Sequence, residues 1–165
     1  MKRLILMRHG QAERPQPGLE DFERALDAEG VAEARQTGRR LAEAGMAPDL
    51  ALVSSAQRAL ETWRASSAAF DPVEVEESPA LYGATAARLV EAVREAEQAH
   101  GAATVMLVGH NPAIHQFALL LARRGADSPL AARLLKGFPT GSAAVFAMDG
   151  EDGPRLEQVF WVKDA

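Results

Sequence analysis

The chain contains no cysteine, which excludes disulfides, thiolate catalysis and cysteine-built zinc sites. It lacks an excess of positive charge. A net charge of −5 gives no global field for holding DNA or RNA, so nucleic-acid binding is disfavoured and any anion site must be local. No stretch approaches the roughly 18 uninterrupted apolar residues of a membrane span. Met1-Lys2-Arg3 leads into only four apolar residues, Leu4 to Met7, too few for the about 7–15 of a signal-peptide core. A cytoplasmic protein without a membrane partner is expected. The nucleotide-binding fingerprints Gly-x-x-x-x-Gly-Lys-Ser/Thr and Gly-x-Gly-x-x-Gly are missing, as are the His-Glu-x-x-His metal motif and the Gly-x-Ser-x-Gly elbow of serine hydrolases.

What remains is an ordinary globular composition, 47% hydrophobic and 25% charged. The 165 residues suit one domain, 1–165, in which roughly 70% of the unfolded surface is buried. Leu4-Ile5-Leu6-Met7 reads as a strand buried on both faces that breaks directly into Arg8-His9-Gly10. Residues 11–23 carry two prolines, a glycine and four acids (Glu13, Glu20, Asp21, Glu23), and read as a loop leaving that strand's carboxyl end. Asp27 caps a helix over 28–44, which Gly45 stops. Leu50 to Val53 is a second buried strand, and Ser54-Ser55 leads into a helix over 56–70 with Arg58 in its first turn. A third strand spans 72–76, and Thr85 caps a helix over 84–99. Thr104 to Val108 is again a strand without a polar face, expected beside the first, and it ends in Gly109-His110-Asn111-Pro112. Pro112 opens a helix reaching about Arg124, and a shorter helix or turn follows over 127–135. Phe138-Pro139-Thr140-Gly141-Ser142 is a loop. Strands over 143–148 and 156–162, joined by a turn at 149–154, form an antiparallel hairpin at a sheet edge. The expected architecture is a three-layer α/β/α sandwich around a mostly parallel sheet with that C-terminal hairpin at its edge.

Two strands therefore end in histidine, His9 and His110, with arginines at Arg8 and Arg58. Parallel strands place their carboxyl ends on one sheet edge, where open α/β sheets bind ligands, so the four groups can converge. The chemistry they suit is that of a phosphoryl group: guanidiniums match phosphate oxygens, one imidazole attacks phosphorus, and the other steadies the charge of the transition state. Arginines and imidazoles supply the neutralisation, so neither metal nor cofactor is expected. The i, i+5 spacing of His110 and His115 does not place both on one helical face. His115 reads as a packing residue and His100 as solvent-facing. Ser54 and Ser55 read as caps of the helix carrying Arg58.

In this pattern the chain resembles the histidine phosphatase superfamily, and within it the small SixA-type phosphohistidine phosphatases. The resemblance rests on Leu6-Met7-Arg8-His9-Gly10, Val53-Ser54-Ser55-Ala56-Gln57-Arg58-Ala59 with Thr62, Leu81-Tyr82, Leu107-Val108-Gly109-His110-Asn111-Pro112 and Phe138-Pro139-Thr140-Gly141-Ser142, in family order. It implies that His9 is phosphorylated, that Arg8, His9, Arg58 and His110 hold the phosphate, and that water releases it. It implies the phosphoglycerate-mutase-like fold without large helical insertions. Gln11, Ser54 and Asn111 are expected at the substrate rim. Mutase-like relatives carry a glutamate acid after the third strand, where this chain has Gly83; Glu76 and Glu77 lie near, and Asp21 in the first loop is the candidate proton donor. An imidazole leaving group, with a reference pKa of about 6.5, needs less help than an alkoxide. The expected substrate is thus a phosphohistidine-bearing protein. A small phosphorylated substrate hydrolysed by the same route, or a non-catalytic phosphate-binding module, are the alternatives. A monomer is expected.

Overall fold

The computed structural model describes residues 1–123 and 128–163. The ends assigned to two helices from the sequence, Arg124 and Asp127, lie outside the described residues. Strand β1 (Arg3–Arg8) is followed by α1 (Ala28–Glu43), β2 (Leu50–Ser54), α2 (Gln57–Ser67), β3 (Glu74–Ser78), α3 (Ala86–His100), β4 (Thr104–Gly109), α4 (Ala113–Ala122), α5 (Pro129–Lys136), β5 (Ala143–Ala147) and β6 (Arg155–Phe160). The strands form one sheet in the order β3-β2-β4-β1-β5-β6. β3, β2, β4 and β1 run parallel, and β5 pairs antiparallel with β1 and with the edge strand β6. The sheet is therefore mostly parallel with an antiparallel hairpin at one edge, as the sequence pattern predicts.

The two-residue period of a strand divides the core cleanly. Leu4, Leu6, Leu50, Leu52, Val105 and Leu107 face one layer, where Leu89 and Val93 of α3, Ile114 and Phe117 of α4 and Leu134 of α5 cover them. Ile5, Met7, Ala51, Val53, Met106 and Val108 face the other, covered by Ala34 and Leu41 of α1 and Ala59 and Trp63 of α2. Both faces are covered, which is why β1, β2 and β4 carry unbroken apolar runs. β3 is different. It lies at the edge, largely exposed, and starts at Glu74 rather than Pro72, because its register is set by pairing Glu74 with Leu50. Among the described residues no helix is long and apolar enough to cross a membrane.

The end of β1 is pressed against α1. Asp27 caps that helix, its carboxylate accepting from the Gly30 amide at 2.8 Å. A Cβ on Gly30 would lie 2.0 Å from the Gln11 carbonyl oxygen, and one on Gly10 2.4 Å from that of Gly30. Alanine within a helix ordinarily gains about 1 kcal/mol over glycine. Here the overlap is with backbone, so Gly30→Ala is expected to destabilise by about 3 kcal/mol or more. Thermal unfolding should show a midpoint about 6–12 °C lower. An unchanged or raised midpoint would show that the loop after β1 yields easily.

Candidate active site

The parallel pairing of β1 with β4 places Arg8 opposite Gly109, so His9 and His110 leave the sheet side by side. The His9 amide donates to the Gly109 carbonyl at 3.1 Å. The two imidazole centroids lie 5.1 Å apart at 55°. His9 Nδ1 lies 2.7 Å from the Gly10 carbonyl oxygen. A carbonyl only accepts, so Nδ1 carries the proton and Nε2 is left with its lone pair. The Gly10 amide donates to Thr62 Oγ1 at 3.0 Å, and that hydroxyl donates to the Arg58 carbonyl at 2.7 Å, fixing the loop after β1 to α2.

Both arginines converge on this edge. Arg8 donates through Nη1 to the Phe138 carbonyl at 2.9 Å, while its Nε is buried without a hydrogen-bond partner among the described residues. Arg58, only 7% exposed, donates through Nη1 to the Asp21 carbonyl at 2.6 Å and through Nη2 to Asp21 Oδ2 at 2.9 Å. His110 Nε2 lies 2.8 Å from Ser54 Oγ, and its Nδ1 is buried without a partner among the described residues. The arrangement thus offers an anion two guanidiniums and one unengaged imidazole nitrogen around a second imidazole with a free lone pair.

Burial, above all, pushes the His9 imidazole down to about 3, with His110 and the two arginines adding in the same direction. Burial, then Arg58, pushes His110 down to about 4. The unfolded chain protonates these groups near a pKa of about 6.5, so below that value it binds protons that the folded chain refuses. Stability is therefore expected to fall by about 2 kcal/mol or more as pH drops from 7 to 5. Chemical denaturation across this range checks it; a flat profile would mean that both histidines are charged in the folded state. Asp21 does not enter this window, since its folded-state carboxyl is held low and its contribution is lost only below the ordinary carboxylate range.

Expectations for three residues need correction. Ser54 is fully buried, so it does not stand at a rim. Nor is it chiefly a cap: its hydroxyl lies 3.4 Å from the Ala56 amide, α2 has Ala56 at its N-cap, and the closer partner of Ser54 is His110. Gln11 is turned away from the histidines, its amide nitrogen on Asp27 at 2.8 Å and Glu29 at 3.0 Å and its oxygen accepting from Lys163 at 2.8 Å. Asp21 is not poised as a proton donor. Arg24, Tyr82 and Arg58 donate to its carboxylate and hold it well below the ordinary carboxyl range, so it is ionised at neutral pH.

The remaining candidates are easily placed. Asn111 is half-buried and donates to the Phe138 carbonyl at 3.1 Å, the same acceptor that Arg8 uses. Glu76 lies 3.4 Å from His100, which also meets Glu74 at 2.9 Å. Gly83 has φ +68°, with open space where a side chain would stand. His115 donates to the Leu134 carbonyl at 2.7 Å and serves packing. A cavity of about 300 Å³ opens beside His110, bounded by Leu81, Thr85, Asn111 and Gln116. Among the described residues no group of three histidine or acidic side chains is placed to hold a metal.

Two contributors have no role assigned to them from the sequence. Glu33, 4% exposed, accepts from the Gln11 amide at 2.8 Å and Thr140 Oγ1 at 3.2 Å, and pairs with Lys163 at 2.6 Å, so it ties three segments behind Arg8. Its signal is the spacing Glu33, Thr37, Leu41, which puts a carboxylate on the buried stripe of α1. Tyr82 donates to Asp21 Oδ2 at 2.8 Å, and its ring stands edge-on to His110 at 5.6 Å.

Residues 4–83 match the family model of the histidine phosphatase superfamily (branch 1). A crystal structure from Agrobacterium tumefaciens, assigned as a phosphohistidine phosphatase SixA, superposes with a TM-score of 0.85 at 30% identity, covering 97% of each chain. The protein histidine phosphatase SixA complexed with tungstate superposes at 0.76 with 23% identity over 95% of each chain, a likeness of fold. An uncharacterized protein of Mycobacterium tuberculosis is 32% identical over 145 residues, 87% of this chain and 88% of its own. The chain belongs to the histidine phosphatase superfamily and groups there with the SixA type.

Proposed function

We propose that the protein is a phosphatase that works through a phosphohistidine formed on His9, and that its substrate is a phosphohistidine carried by another protein. The observation that carries this reading is the His9 tautomer, with Nδ1 tied to Gly10 and Nε2 left free beside Arg8, Arg58 and His110. Nε2 gives its electron pair to phosphorus while the bond from phosphorus to the leaving group breaks, and the pair of that bond goes to the leaving atom. Arg8, Arg58 and His110 neutralise the equatorial oxygens. Water then attacks the phosphoryl group, the bond to Nε2 breaks, and its pair returns to His9 as phosphate departs.

The preference for phosphohistidine rests on the missing acid. Gly83 stands where mutase-like relatives carry glutamate, and Asp21, the candidate acid of the first loop, is ionised. An alkoxide leaving group needs a proton from such an acid; an imidazole that already carries one does not. The likeness to the Agrobacterium tumefaciens structure assigned as a phosphohistidine phosphatase SixA supports the same class. The test is to incubate the protein with a phosphohistidine-bearing domain and with simple phosphate esters, and to follow phosphate release. Fast release from the domain supports the proposal. Ester hydrolysis alone identifies a small-molecule phosphomonoesterase, and tight phosphate binding without turnover of either identifies a binding module.

A further inference from the structure

Asp21 holds a place that a mere strut would not need. In-line attack by His9, at the floor of the site, drives the leaving group outward. The half-exposed carboxylate of Asp21 bridges Arg58 and Tyr82, and the Tyr82 ring stands edge-on to His110, so Asp21 borders the histidine pair from its solvent side. Its surroundings are fully specified. Arg24, three residues along the same turn, donates to Oδ1 at 2.7 Å. Arg58 of α2 and Tyr82 of the segment after β3 both donate to Oδ2. The His110 imidazole at the end of β4 feels its charge, and Phe22 packs edge-on against Tyr82 at 5.0 Å. A carboxylate offers about four acceptor positions. Oδ2 has two filled and Oδ1 one, and Asp21 is 51% exposed, so an acceptor position stays open to an incoming group.

The chemistry of a phosphorylated imidazole gives that position a use. When the bond from phosphorus to nitrogen breaks, the electron pair goes to the ring. If the far ring nitrogen carries a proton, the ring leaves as neutral imidazole; if it does not, the ring leaves as imidazolate, a far poorer leaving group. The free group titrates near neutrality, with a pKa of about 6.5 for the parent imidazole, so the proton is not assured. We infer that Asp21 is a catalytic acceptor for the far N–H of the leaving imidazole, keeping that ring protonated and cationic until phosphorus is transferred. This rests on the phosphohistidine reading above and assigns to the carboxylate the opposite role from that of an acid. Arg24 and Arg58 keep it ionised, so its accepting lone pairs persist to low pH. The same charge works against phosphate esters, whose departing oxygen develops negative charge beside it. No proton changes hands during the transfer.

The experiment compares the full chain with Asp21→Asn and Asp21→Glu on a phosphohistidine-bearing domain and on phenyl phosphate. Loss of a charge-assisted hydrogen bond should lower the ratio of the two kcat/KM values, domain over ester, about tenfold or more at pH 8 in Asp21→Asn. The basic limb of the kcat profile on the domain should move about one pH unit lower, because the ring proton is held less tightly. Asp21→Glu should restore that limb. An equal loss on both substrates with the limb unmoved would overturn the inference and leave Asp21 a support for Arg58. A greater loss on the ester would overturn it in favour of a proton donor. Should the unaltered protein cleave the ester and never the domain, the phosphohistidine reading falls and this inference with it.

Discussion

His9→Ala is expected to lower phosphate release from a phosphohistidine domain at least about 10⁴-fold, since it deletes the atom that, on the proposed route, bonds to phosphorus. The loss should lie in chemistry and not in binding, because Arg8, Arg58 and His110 remain to hold the anion. Titration with inorganic phosphate should therefore still show binding to the variant. Rapid quenching of the unaltered protein with labelled substrate should trap an acid-labile phosphoryl group, absent in His9→Ala. One effect on stability follows from the same residue. His9 is kept neutral chiefly by burial, so the variant should lose less stability between pH 7 and pH 5 than the unaltered protein. Turnover that survives in His9→Ala would remove the covalent route.

Arg58→Ala is expected to reduce kcat/KM by about 10³-fold, in the range found where an arginine neutralises a transferring phosphoryl group. The fold should tolerate it: Arg58 pairs with a half-exposed carboxylate, which can turn to solvent when the partner is gone. Arg58→Lys separates charge from geometry. An ammonium keeps the charge and loses the planar fork, so a deficit of about 10- to 100-fold should remain. Steady-state kinetics with thermal unfolding as a control checks both. If lysine restores full activity, Arg58 supplies only charge; if alanine does, the phosphoryl group is held elsewhere.

The parts of the site that lie on β1 and β4 were legible because the cause is periodic and local. A run such as Leu4 to Met7 with no polar residue has to be covered on both faces, and two such strands lie together at the sheet centre. Their parallel pairing then fixes where His9 and His110 stand. The misreadings concern groups whose partners come from elsewhere in the chain. Ser54 precedes a helix and so looks like a cap, yet its partner is one strand over, at His110. Asp21 reads as a proton donor in the first loop, but its neighbour Arg24 and, from distant segments, Tyr82 and Arg58 keep it ionised. Gln11 lies two residues after His9, and the acids and lysine that capture its side chain lie at residues 27, 29 and 163. The start of β3 was misplaced because proline marks where a strand cannot continue, whereas Leu50 decides where pairing begins.

The position of β1, with β4 on one side and β5 on the other, gives the protein two regions free to diverge at different rates. The strand that ends at His9 and the two strands beside it belong to the interior, where most substitutions are costly whatever the substrate. The segments around Asp21 and Tyr82 lie at the surface, on loops rather than on the central strands. On the role proposed for Asp21, substitutions there change which leaving group is accepted while the floor is inherited intact. Selection can thus retarget such a scaffold without rebuilding its chemistry, and relatives are best told apart by their counterparts of residues 13–24 and 78–85.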